Sequence, residues 1–132
     1  MGFRFKYMLG GGVVYLNTFP VAKTDQIKKG DFCGVAKGDA TNNPKSSFRW
    51  FGVAAIDADG DCGESVKLYP PDSVYAIEDN KKRNCFDMVD INNEKNGITD
   101  DSCDDDPMFV IVRNSTETED TLATLNKDYR VF

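Results

Sequence analysis

Two acidic loops hold the side chains best suited to chemistry. Asp57-Ala58-Asp59-Gly60-Asp61-Cys62-Gly63-Glu64 sets carboxylates at positions one, three and five, the spacing with which a helix-loop-helix calcium site wraps its ion. Position six is Cys62 instead of the glycine that the bend requires, and position twelve is Leu68 instead of a bidentate Glu. The second loop, Asp90 to Asp101, offers oxygen ligands at one, three, five and twelve, but Lys95 stands at position six and no helix follows. Both read as solvated turns, and no metal or cofactor is expected.

Nucleophilic catalysis lacks its base. The chain has no histidine, so neither a Ser–His nor a Cys–His pair can form. The four cysteines, Cys33, Cys62, Cys85 and Cys103, lie 29, 23 and 18 residues apart, whereas zinc knuckles bring two ligands within a few residues of each other. Without a leader sequence they read as reduced thiols rather than a disulfide framework. A carboxylate pair for glycoside hydrolysis could be drawn from the many acids, yet most of these flank Gly and Asn in turns. Gly10-Gly11-Gly12 is followed by no Lys-Ser/Thr and opens no helix, so it is not a phosphate loop. Asn114-Ser115-Thr116 fits a glycosylation acceptor, which matters only in a secretory setting. No enzyme is expected.

The chain as a whole has the size of one domain. Its 132 residues can bury roughly two-thirds of the surface that the unfolded form exposes, and 40% apolar content supplies a core. No run of about 18 apolar residues exists to span a membrane. Arg4 and Lys6 interrupt the apolar start, against a secretory signal, and the sixth residue is not the Ser or Thr of a myristoylation signal.

The net charge of −6 is unevenly spread. Residues 1–50 carry eight basic and three acidic side chains, a balance of +5, while residues 57–106 carry five basic and fifteen acidic, a balance of −10. General nucleic-acid binding is disfavoured, because an acidic chain gains little from counterion release. Opposite charge on two parts of one molecule instead favours oriented docking on a charged surface.

Turn signals between short apolar runs predict an all-β fold. Phe3, Phe5 and Tyr7 alternate with Arg4, Lys6 and Met8, which on a period of two sets the three rings on one face and the two cations on the other. The glycine triplet follows, so residues 1–12 read either as an arm on a hinge or as the first strand of the protein's own sheet. Residues 13–132 form the β domain. Within it, strands are expected at Val13–Phe19, on both sides of a hairpin at Gly30, at Phe48–Ile56, Ser65–Tyr69 and Val74–Ile77, at Cys85–Ile91 in preference to one helical turn, and at Met108–Arg113 as the best covered. Thr121–Leu125 reads as a short helical turn, Lys127–Phe132 as the closing strand, and Asn92–Pro107 as a long acidic loop.

LNTFPVAKTDQIKKGDFCGVA followed by FGVAAIDADGDCGESVKLYPPDSVYAIE resembles the head decoration (cement) proteins of tailed bacteriophages, in a KKGD-like turn, a GVA…DAD strand and turn, and VKLYP…VYAI. The resemblance covers residues 13–78. It implies a small β-barrel or β-sandwich on the exterior of the virion capsid, assembled in the host cytoplasm, that does no chemistry. The major capsid protein would be its partner, with neighbouring copies or a homo-oligomer beside it. Phe3, Phe5 and Tyr7 would then anchor an edge strand added to the shell subunit's sheet, and Arg4 and Lys6 would pair with its acids. On that reading a chain lacking residues 1–12 stays folded and loses binding. The competing expectation is a secreted or cell-surface β-sandwich that binds carbohydrate or acts with calcium, using Trp50 and Tyr69 beside the acidic turns.

Overall fold

The computed structural model describes residues 2–45, 47–78, 85–92, 96–99, 108–113 and 120–129. The elements named here all lie within them. In chain order they are β1 (Arg4–Met8), β2 (Asn17–Pro20), β3 (Gln26–Ile27), β4 (Phe32–Ala36), β5 (Asp39–Thr41) and β6 (Trp50–Val53). There follow β7 (Ala58–Asp59), β8 (Ser65–Leu68), β9 (Ser73–Ile77), β10 (Met88–Ile91), β11 (Ile98–Thr99), β12 (Phe109–Arg113) and β13 (Thr121–Leu125). Among the described residues, helix is confined to three single 3-10 turns, and none is long and apolar enough to cross a membrane.

The protein is all-β, and its strands stack in layers. The largest sheet has six antiparallel strands in the order β1-β9-β13-β12-β10-β11. A three-stranded sheet, β5-β4-β6, packs on one of its faces, and the ribbons β2–β8 and β3–β7 cover the far side of that smaller sheet. Alternation along β6 makes this possible. Phe51 and Val53 point into the main core with Tyr75, Ile77, Phe109, Ile111 and Leu125, while Trp50 and the following Ala54 point to a second core with Cys33, Val66 and Leu68. A sheet buried on both faces cannot spare room everywhere. A Cβ on Gly52 would run into the Tyr69 carbonyl, and glycine there admits the neighbouring backbone.

The first residues belong to the protein's own sheet. β1 pairs along β9, Phe3 is 3% exposed inside the main core, and its N–H donates to the Gly30 carbonyl at 3.0 Å. Phe3 stacks on Phe109 with centroids 5.2 Å apart and meets Tyr75 edge-on at 5.9 Å. The rings do not share one face, because the ladder shifts between Phe5 and Tyr7. Lys6 is the extra residue of a bulge, which turns Tyr7 outward and lets Met8, 4% exposed, close the inner face.

Other expectations are corrected too. Lys28–Asp31 is a tight turn, with Gly30 at φ 93° and the Asp31 N–H donating to the Lys28 carbonyl at 2.9 Å. It is not a hairpin: β3 pairs with β7, while β4 pairs with β5 and β6. Thr121–Leu125 is a strand wedged between β9 and β12 and paired to both, with all five residues buried, instead of a helical turn. Lys127–Tyr129 is a 3-10 turn at the start of the expected closing strand, whose remainder, 130–132, lies outside the described residues; Tyr129 packs edge-on against Phe51. The expected strand at Val13–Phe19 begins only at Asn17. Cys103, the charged turn at 79–84, the glycosylation triplet at 114–116 and most of the acidic loop at 92–107 lie outside the described residues.

These contacts predict that residues 1–12 cannot be removed without loss of the fold. Phe3→Ala deletes a buried ring flanked by three others, and denaturant titration should read a loss of about 3–5 kcal/mol, a large share of a typical domain's stability. An unchanged midpoint would show that the ring lies outside the core.

Candidate functional site

β1 is an edge strand, and its two faces meet different surroundings. Inward, Phe3 is sealed in the core, and half-buried Phe5 lies flat on Tyr69 with centroids 4.7 Å apart and planes at 10°. Outward, Arg4, Lys6 and Tyr7 border a cleft of about 450 Å³ whose floor is Ala76 and Leu122 and whose far wall is Arg113 and Asp120. Of the five residues singled out in the sequence, the three polar or amphipathic ones therefore gather at one surface. Phe3 is not available to any partner, and Phe5 is half committed to Tyr69.

Among the described residues that line the cleft, three are cationic, Arg4, Lys6 and Arg113, and one is acidic, Asp120. Arg4 forms a salt bridge to Asp120 Oδ2, and Arg113 Nη2 donates to the Asp120 backbone carbonyl at 3.3 Å. The Arg4 side chain is 57% exposed, so this pair holds geometry more than it adds stability. Lys6 is exposed on the bulge and faces solvent. Arg113 was not anticipated from the sequence, since its place beside Arg4 depends on β9 and β13 lying between their strands.

The acids behave differently. In the loop that resembles a calcium site, Asp57 Oδ1 accepts from the Lys29 N–H at 2.7 Å, Asp59 Oδ1 from the Asp61 N–H at 2.9 Å, and Glu64 Oε1 from the Asp59 N–H at 2.8 Å. These carboxylates terminate a 3-10 turn and pin it to the Lys28–Asp31 turn; they do not converge on a common point. Among the described residues no three His, Cys, Asp or Glu side chains are grouped as a metal would need. In the second loop, Asn92 Oδ1 accepts from the Asn96 N–H at 3.2 Å, closing the bend before β11. Trp50 and Tyr69, the rings that a carbohydrate platform would use, are half-buried, Trp50 against Phe19 and Tyr69 under Phe5.

Cys33, Cys62 and Cys85 are free thiols, the first buried and the other two exposed. Burial raises the Cys33 pKa far above its ordinary value of 9.0, with the Asp31 and Asp25 charges adding to the effect. Cys62 is also raised, by the charge of Asp59 and by the hydrogen bond its thiol makes to that carboxylate. Neither has the lowered pKa of a nucleophilic cysteine. Comparison of the chain with protein-family models, with curated proteins and with solved structures gives no match.

A pH dependence follows from Cys33. The folded thiol keeps its proton where the unfolded one releases it, so stability is intact below pH 9 and falls as the pH rises above it, by up to ~1.4 kcal/mol per pH unit. Buried Tyr75, raised mainly by desolvation from 10.0, adds a second loss above pH 10. Thermal melts from pH 7 to 10.5 should show this decline, and Cys33→Ala should flatten it between pH 9 and 10. In the native protein an alkylating reagent should label Cys62 and Cys85 and spare Cys33; rapid labelling of Cys33 would contradict its burial.

Proposed function

We propose that this protein is a capsid decoration protein of a tailed bacteriophage, which attaches to the outer surface of the assembled shell and does no chemistry. The cationic cleft beside β1 is the observation that carries the reading. On a chain of net charge −6 it gathers Arg4, Lys6 and Arg113 around an apolar floor, a surface suited to an acidic, partly apolar patch on a partner. The resemblance of residues 13–78 to decoration proteins supplies the identity of that partner, the major capsid protein.

Attachment through this face needs no detachable arm. The strand that carries Arg4 and Lys6 is held by β9 and by Phe3, so binding orders their side chains but not the backbone beneath them. Each site contributes a modest, salt-sensitive contact. Ligands that bind the assembled shell and not its dissociated subunits stabilise it by mass action, and the repeated lattice multiplies that effect.

The test is direct. Purified protein mixed with empty mature shells should appear as added density at regular lattice positions by electron microscopy and should raise the temperature at which shells disrupt. Lys6→Glu, on an exposed bulge, should leave the melting temperature of the free protein unchanged while weakening shell binding about tenfold at low salt, and less at high salt. No density on shells, or turnover of a small substrate, would overturn the proposal.

A further inference from the structure

The segment between the glycine triplet and β2 has the composition of a strand and the surroundings of none. Val13, Val14, Tyr15 and Leu16 are 89%, 43%, 54% and 42% exposed. No backbone group of these four hydrogen-bonds to a described residue. Four consecutive exposed apolar residues are unusual on a folded surface without a purpose. They also sit in the middle of a stretch, Tyr7 to Ala22, that holds no charged side chain in a chain that is 29% charged.

The physical reason for the missing ladder is in the facing strand. β2 pairs with β8 so that Asn17 lies opposite Leu68, Thr18 opposite Lys67 and Phe19 opposite Val66. Continuing that register backwards would set Leu16 against Tyr69, Tyr15 against Pro70 and Val14 against Pro71. Ladder bonds between these strands fall at alternate pairs, with Val21 N–H given to the Glu64 carbonyl at one end, so the next would join Tyr15 to Pro70, and proline has no N–H to give. The ladder therefore stops at Asn17, and among the described residues the first half of the strand has no ladder partner. On its other side, Gly10 and Gly11 take φ of 78° and 74°, values open to glycine and costly for β-branched residues, which lets the strip leave β1 in a new direction.

We infer that Val13–Leu16 is completed as a strand by an extended segment of the shell subunit, forming a second attachment point beside the cationic cleft. This rests on the decoration reading above. A second copy of the chain is the weaker occupant, because the strip offers only a few hundred Å² of apolar surface, well short of the ~800 Å² per partner that a stable solution complex needs. The same shortfall means that the strip acts once charge has brought the surfaces together, when its partner is held at high effective concentration. Backbone hydrogen bonds supply the affinity, and the alternating side chains Val14 and Leu16 on one face, Val13 and Tyr15 on the other, supply the fit.

Amide hydrogen exchange on the full chain, free and bound to empty mature shells, tests this, together with Val14→Pro. The substitution removes an N–H that no ladder among the described residues uses, so the free protein should melt as before. Expected are fast exchange at residues 14–16 in the free protein, at least about tenfold slower exchange on shells, and shell binding weakened about tenfold by Val14→Pro but much less by Val14→Thr. Wild-type protein that binds shells with residues 14–16 still exchanging at the free rate, or a Val14→Pro protein that binds as wild type, overturns the inference and leaves the decoration reading standing. Concentration-dependent dimerisation in solution that protects these amides and is abolished by Val14→Pro assigns the strip to a second copy and also overturns it. Wild-type protein that fails to bind shells removes both.

Discussion

Two sheets of unequal size are joined by rings. Phe32 from the three-stranded sheet lies parallel to Phe51 at 5.6 Å and edge-on to Phe109 of the larger sheet at 5.3 Å. Phe3 fills the remaining side of this group, touching Phe32, Tyr75 and Phe109 together. Offset and edge-to-face ring pairs add to the area term, about 0.5–1.5 kcal/mol each, and fix orientation as greasy contact alone does not. The group makes the N-terminal strand part of the core. Everything presented from β1, the cations included, inherits its position from a ring whose neighbours come from three different strands.

That dependence explains which parts of the fold the sequence discloses. Strands whose own residues alternate or run apolar are legible: FRWFGVA contains β6, SVKLYP contains β8, MFVIVR contains β12. The Gly30 turn is legible because positive φ next to a charged Lys-Lys-Gly-Asp run has few other uses. Pairing is not legible, because β3 and β4 flank one turn yet find partners about thirty and twenty residues further on. Thr121-Leu-Ala-Thr-Leu125 hides for a related reason. A strand covered on both faces buries every residue, and over five residues a pattern with no polar face carries no period to read. The alternation in β1 misleads for the opposite reason. A single bulged residue shifts every later side chain to the other face, and nothing in Arg-Phe-Lys-Tyr-Met marks where the extra residue enters.

The candidate site was legible in its charges and not in its shape. Arg4 and Lys6 stand out in an acidic protein, but Arg113 joins them only through the strand order β1-β9-β13-β12. The acids show the reverse case. Their spacing suggests a cation site, and the structure uses them as acceptors for turn N–H groups that have no ladder partner, with each carboxylate aimed at its own backbone donor. Spacing along the chain sets which residues are near one another. Direction is set by the turn, and chelation needs direction.

Edge strands tie these points to function. An open edge invites pairing with any extended chain, and folded proteins guard it with bulges and with charged side chains. β1 carries both devices, a bulge at Lys6 and the flanking cation Arg4, so its outer edge is a poor acceptor for an added strand even though its face is a good surface for acidic groups. Val13–Leu16 carries neither: no charge, no proline and no bulge within four residues of high β propensity. On the proposed reading the two features divide the work of adhesion between them. The guarded strand steers a partner by charge while refusing to pair with it, and the unguarded strip, left open where Pro70 and Pro71 end the facing ladder, is where backbone pairing can occur.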